Sequence, residues 1–193
     1  MELFEAIHNR HSQGKVRQDA PSRELIEKLL DAGAQAPNHY KVRPWRFVVL
    51  MGEARNRLGD VMSASQRERM PDLPQEAFDK TRSLPLRAPV LIAVGVDKPS
   101  EEKVLEVENI CAAAAACQNI LLAAEALGLG VKWRTGEWVN NAKVKEFFGF
   151  LCRPALDRVL VYWLPRIHCG EYTASIVCGS DGVDGLKETC GRI

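Results

Sequence analysis

Four short segments carry residue types from which a binding site can be built. They are Arg10-His11-Ser12, Ala36-Pro37-Asn38-His39 running on to Arg43-Pro44-Trp45, Gln118-Asn119, and the stretch from Gly128 through Trp133-Arg134-Thr135 to Gly136. A guanidinium and a hydroxyl two residues apart offer the donors that a dianionic phosphate needs. The chain holds no Gly-x-Ser-x-Gly, His-Glu-x-x-His, Gly-x-Gly-x-x-Gly or Cys-x-x-Cys. No side chain is therefore marked as a nucleophile, a zinc ligand or part of a glycine-rich phosphate loop.

Taken singly, each segment has an ordinary explanation. An isolated Arg-x-Ser is usually solvated surface, because short motifs match by chance. His39 after Pro37-Asn38 suits a turn. Trp133 at the start of a strand suits a core. Only the order and separation of the segments raise them above these readings.

The elements that must position them are legible from periodicity. Residues 2 to 9 read as a short helix with Leu3, Phe4 and Ile7 on one side, followed by a basic polar stretch from Arg10. A change from helix to loop at basic residues is a place for an anion. Ser22 is placed to cap a helix whose Leu25, Ile26, Leu29 and Leu30 form one stripe, extended by Gly33. Proline disfavours helical geometry in the residue before it, so that helix stops at Ala36-Pro37. Trp45 to Leu50 and Val90 to Val96 read as strands of one sheet. Residues 53 to 86 read as a helix plus a surface excursion suited to a lid or a dimer arm. From Val104 to Leu127 the pattern is helical and apolar on most faces, which predicts a central helix ended by Gly128 and Gly130. A short strand at Val131 to Arg134 and a short helix at Asn140 to Phe148 follow.

At 193 residues the chain suits one domain with a proper core. Its 26 basic and 25 acidic residues nearly cancel, which excludes a global field for nucleic acid or an anionic membrane and favours a small neutral or mixed-charge partner. The stretch Ile110 to Gly128 approaches the roughly 20 residues of a membrane span, but it contains Gln118, Asn119 and Glu125, so it is expected to be a buried helix. The acidic N-terminal segment does not resemble a secretion signal, and a cytoplasmic setting is expected. Cys111 and Cys117 lie in the central helix and the other four cysteines lie beyond residue 150; all six are read as buried or incidental thiols.

In order and spacing, the four segments together resemble the nitroreductase family, especially its small single-domain NAD(P)H nitroreductases. The resemblance covers residues 1 to about 150, and its most specific part is Ala-Pro-Asn-His, then Arg-Pro-Trp, then the distant Trp-Arg-Thr-Gly. It implies an α+β fold, a mainly antiparallel sheet flanked by helices, pairing as a homodimer with FMN at the interface. Arg10, His11 and Ser12 match the family's phosphate-holding segment. His11 stands where arginine is usual, and Gly14-Lys15 replaces a following arginine, leaving Lys15 or Arg17 to compensate. Gln35 and His39 match positions that reach the flavin bound mainly by the other subunit. Trp133, Arg134 and Thr135 match the segment lining the flavin. Ala123, Ala124, Glu125, Ala126, Leu127 and Gly128 match a stretch associated with the nicotinamide nucleotide. The implied activity is two-step hydride transfer from NAD(P)H, through FMN, to a nitroaromatic, a quinone or another electron-poor acceptor. The flavin would carry that chemistry, with neither a catalytic side chain nor a metal.

After Phe150 the family pattern is lost. Similar proteins continue with a strand of the type Gly-Phe-Leu-Tyr-Ile-Gly-x-Pro, whereas this chain reads Val159-Leu160-Val161-Tyr162-Trp163-Leu164-Pro165 and then becomes cysteine-rich. Reading the codons of Arg158 to Pro165 one nucleotide later forces a glycine out of the Trp163 codon and permits Gly-Phe-Leu-Tyr-Ile-Gly. The expectation is a frameshift near residue 151, with 151–193 an atypical, disorder-prone tail on a single 1–193 domain, while Val159 to Trp163 still passes as a strand. Two alternatives follow from an altered C-terminus: a flavin-binding protein without turnover, and a remnant that binds nothing.

Overall fold

The structure, a computed structural model, describes residues 1–150 and the backbone of 156–164. The chain begins with α1 (Leu3–Asn9) and α2 (Arg23–Ala34), then β1 (Trp45–Met51). Next come α3 (Glu53–Arg69), α4 (Gln75–Ser83) and β2 (Val90–Asp97). The long α5 (Glu106–Ala126), β3 (Lys132–Arg134), α6 (Ala142–Phe147) and β4 (Leu156–Leu164) complete it. The expected excursion at 53 to 86 is thus two helices and a 3-10 turn at Leu84–Arg87.

The four strands form one sheet in the order β1-β2-β4-β3, with every neighbouring pair antiparallel. β2 is central and is buried on both faces from Val90 to Val96. Because strand side chains alternate, Val90, Ile92, Val94 and Val96 enter the core under α2 and α5. Leu91 and Ala93 enter a second core with Leu58, Met62, Val144 and Phe148 from α3 and α6. The sheet is therefore the middle of three layers, the mixed helix and antiparallel-sheet architecture expected.

Small residues set the closest approaches. A Cβ added at Gly33 would lie 3.0 Å from Ile120 and 3.1 Å from Phe47, so the glycine lets α2 settle between α5 and the sheet. Asn119 Nδ2 donates to the Ala32 carbonyl at 3.0 Å across the same contact. Gly59 of α3 is tighter still, with the Arg82 carbonyl oxygen 2.2 Å from where a Cβ would stand.

By length and composition α5 would cross a membrane, yet Ala113, Ala116, Cys117, Ile120 and Ala124 are fully buried in the protein core, as expected of a central helix. Burial raises the Cys117 thiol above its ordinary range, so this cysteine stays protonated and inert. Cys111, expected among the buried or incidental thiols, is exposed. Helix α5 ends as the glycines predict. Gly128 takes a left-handed φ of 71°, its N–H donates to the Glu125 carbonyl, and the Leu129 N–H donates to the Ala124 carbonyl at 2.8 Å. That turn aims the chain into β3.

The expected strand at Val159 to Trp163 lies within β4, which pairs with β2 on one side and β3 on the other. Apart from that backbone, the proposed frameshifted segment and its tail lie outside the described residues.

Candidate functional site

The end of α1 and the start of β3 are brought together by the backbone. Ser12 and Val131 form a parallel bridge, and the Gln13 N–H donates to the Val131 carbonyl at 3.0 Å. Two segments more than a hundred residues apart thus become neighbours: Arg10-His11-Ser12 on one side and Trp133-Arg134-Thr135 on the other. Arg10 is half-buried at the C-terminal end of α1, and no carboxylate pairs with it among the described residues. Ser12 and Thr135 are exposed, whereas Trp133 and Arg134 are half-buried. His11 is held locally: Nδ1 lies 2.8 Å from the Asn9 carbonyl, and Nε2 lies 2.7 Å from Gln13 Nε2. Lys15 is exposed without an acidic partner among the described residues, while Arg17 is taken up by an ion pair with Asp19. Of the two compensating cations expected, Lys15 is the uncommitted one.

Gln35 and His39 belong to a second group. Gln35 caps the end of α2, with Nε2 donating to Asp31 Oδ1 at 3.3 Å. His39 opens a loop whose backbone is held out of the ordinary regions: Tyr40, Lys41 and Arg43 all have φ between 48° and 55°. Left-handed geometry costs a non-glycine residue about 1–2 kcal/mol and persists only where the surroundings enforce it. Asn38 Oδ1 accepts the Arg43 N–H at 2.8 Å, and Arg46 Nη1 donates to the Arg43 carbonyl at 3.2 Å. Arg46 is in turn paired with Asp97, and the Asp97 N–H donates to the Pro44 carbonyl at 2.7 Å. The loop is therefore braced at both ends against the sheet.

Helix α5 braces the loop's middle. His39 Nδ1 lies 3.3 Å from Glu108 Oε1, and the Lys103 ammonium stands 4.9 Å above the Tyr40 ring. Glu108 also accepts the Leu105 N–H with its other oxygen at 3.3 Å, capping the start of α5. Sequence reasoning did not single out Glu108; its position three residues after Leu105 was the available signal. Pro37, Asn38, His39, Glu108, Cys111 and Ala115 line an open groove of about 600 Å³. None of the described hydrogen bonds, ion pairs or cavities joins this group to the Arg10 group.

Ala123 to Gly128 span the end of α5 and the turn that follows it. Ala124 faces the core and is fully buried; Glu125 and Leu127 are half-buried, and Ala126 and Gly128 are exposed. Gln118 is exposed, and Asn119 is used in the α2 contact. Among the described residues, no group of three or more His, Cys, Asp or Glu side chains is arranged to hold a metal.

Comparison with known proteins places the chain. A family model described as the Nitroreductase family matches residues 7–160. The Escherichia coli (strain K12) protein named "Putative NAD(P)H nitroreductase YdjA" is 35% identical over 153 residues, covering 79% of this chain and 81% of its own. A Haemophilus influenzae protein named "Putative NAD(P)H nitroreductase" is 34% identical over 161 residues, covering 83% of this chain and 85% of its own. Among solved structures, a "putative nitroreductase in complex with FMN" from Desulfovibrio desulfuricans superposes with a TM-score of 0.63 at 28% identity, covering 91% of this chain and 92% of that one. A nitroreductase-like protein from Bacillus cereus superposes with a TM-score of 0.72 at 22% identity, covering 100% of this chain and 96% of that one, and shows the shared fold.

Proposed function

Because the chain belongs to the nitroreductase family, we propose that it is an FMN-dependent NAD(P)H oxidoreductase that reduces nitroaromatics, quinones or similar electron-poor acceptors. The observation that carries this reading is the Ser12–Val131 bridge, which sets Arg10 and Ser12 beside Trp133, Arg134 and Thr135. The donor set fits the cofactor: Arg10 is half-buried without an acidic partner among the described residues and lies beside a hydroxyl, as a flavin phosphate requires. When bound, FMN supplies the acceptance and donation of hydride. The chain's own residues hold it in place. Arg10 and Ser12 bind the phosphate, Trp133 and its neighbours cover the ring system, and the end of α5 from Ala123 to Gly128 takes the nicotinamide nucleotide through its outward-facing residues.

Two observations support a homodimer. The exposed apolar side chains Leu3, Phe4 and Ile7 of α1, with Leu105 and Val107 at the start of α5, form surface that a partner would cover. Gln35 and His39 also stand apart from the Arg10 group within one chain, which suits residues that reach a flavin held by the other. The free thiols of Cys111 and Cys117 suit a reducing, cytoplasmic setting. One domain over residues 1–193 is the proposed organisation.

The experiment is steady-state oxidation of NADPH and of NADH by the FMN-loaded chain with a nitroaromatic acceptor. Acceptor-dependent loss of nicotinamide absorbance is expected. A yellow protein that oxidises neither nucleotide would instead establish the second reading, a flavin-binding protein without turnover. That reading is favoured by the family match ending at residue 160 of 193.

A further inference from the structure

The open groove beside α5 is lined by few polar side chains, and most of their atoms are already engaged. Asn38 is committed at both ends of its amide: Oδ1 accepts the Arg43 N–H, and Nδ2 donates to the Ala36 carbonyl at 3.3 Å. Glu108 turns one oxygen to the Leu105 N–H and the other to His39 Nδ1. The remaining walls are apolar apart from the Cys111 thiol. His39 Nε2 is left over, with no hydrogen bond or ion pair among the described residues.

The two members of the His39–Glu108 contact are held very differently. The His39 side chain is 62% exposed, and an imidazole so placed turns freely unless something holds it, whereas that of Glu108 is 22% exposed. Glu108 stands in the first turn of α5 with the Leu105 N–H on Oε2. Beside it the buried Asn109 donates from Nδ2 to the Asp97 carbonyl at 3.1 Å. Asp97 pairs with Arg46 and donates its N–H to the Pro44 carbonyl, so the carboxylate is mounted on the same frame that braces the loop. An ionised carboxylate only accepts hydrogen bonds, and which ring nitrogen of a neutral histidine carries the proton is set by such a partner. With Glu108 Oε1 3.3 Å from Nδ1, the proton belongs on Nδ1 and the lone pair on Nε2. His8 and His11 also turn Nδ1 to an acceptor, but to backbone carbonyls of their own segment; the partner of His39 comes from a remote helix.

We propose that Glu108 is the positioning residue of His39. It holds the ring through Nδ1 and keeps the proton of the neutral ring there, so that Nε2 meets a ligand in the groove as a hydrogen-bond acceptor. A ligand suited to that wall brings an N–H or O–H donor on the edge of an otherwise apolar ring. That this ring is the flavin held by the other chain rests on the proposed function; the hold of Glu108 on His39 does not. Glu108 lies outside the segments that carry the family resemblance.

The test is NMR of the flavin-free full chain, correlating ring nitrogens with ring protons at about pH 8.5, above the ordinary histidine range. The spectrum reports which nitrogen carries the proton, and His39→Gln identifies the His39 signals among those of the four histidines. In the wild-type chain the proton is expected on Nδ1. Glu108→Ala is expected to lose that preference and to move the proton toward Nε2, the position usual for a free histidine. Lys103→Ala removes the cation above Tyr40, another brace of the same loop, and is expected to leave the His39 pattern unchanged. A proton on Nε2 in the wild-type chain overturns the proposal, and this holds even if Glu108→Ala does not fold. An unchanged pattern in Glu108→Ala, or an equal loss in Lys103→Ala, overturns it as well. A chain that refuses added FMN while keeping the Glu108-dependent Nδ1–H would retain the positioning role and remove the flavin reading.

Discussion

Arg10 is half-buried at the end of α1 with no carboxylate paired to it among the described residues, so removing its guanidinium should subtract phosphate binding and little else. Arg10→Ala is expected to weaken FMN by about 1.5–3 kcal/mol, the usual worth of a hydrogen bond to a charged group, and to leave riboflavin almost unaffected. Comparative titration of the two flavins checks this, since a merely unfolded variant would lose both. Arg10 and Ser12 were legible in the sequence because guanidinium and hydroxyl at that spacing state their chemistry directly. The strained loop was not. Tyr40, Lys41 and Arg43 carry side chains that give no hint of positive φ, and the geometry is imposed by Asn38, Arg46 and Asp97, two of which lie outside the loop.

Among the elements, helix packing depends on two glycines whose tolerances differ. A methyl at Gly33 meets the movable ends of Ile120 and Phe47 at 3.0 and 3.1 Å, so the side chains can give by a few tenths of an ångström. A methyl at Gly59 meets backbone, the Arg82 carbonyl at 2.2 Å, and α3 must separate from the last turn of α4. Gly59→Ala is expected to cost about 1–3 kcal/mol and Gly33→Ala less, read from midpoints of urea unfolding. Equal midpoints in the two variants would contradict this ranking. Gly33 showed itself in the sequence by extending an apolar stripe. Gly59 sits in a charged helix with no such pattern, so only the tertiary contact reveals it. Likewise the apolar runs announced β1 and β2, while the sheet order β1-β2-β4-β3 had no local signal, because it is fixed by pairings across the whole chain.

For the whole molecule, the three-layer architecture explains why the site lies where it does. The buried β2 anchors both cores, α5 crosses beneath the sheet and ends at Gly128, and β3 returns to meet the end of α1 at Ser12. The fold therefore brings the proposed flavin-binding segments together from the chain's first and last described thirds, and it leaves the His39 groove and the apolar side chains of α1 exposed. The family resemblance in residues 1 to 150 made that architecture readable, whereas periodicity alone supported only a mixture of helices and strands.

The central claim is that this fold grips a flavin phosphate and shares the ring with a second copy. The most direct measurement is uptake of added FMN by the purified full chain, followed by the flavin absorption spectrum together with the mass of the complex. Saturation at one FMN per chain in a two-chain species, with a dissociation constant at or below the micromolar range, is the predicted result. A folded chain that leaves micromolar FMN free in solution would contradict it.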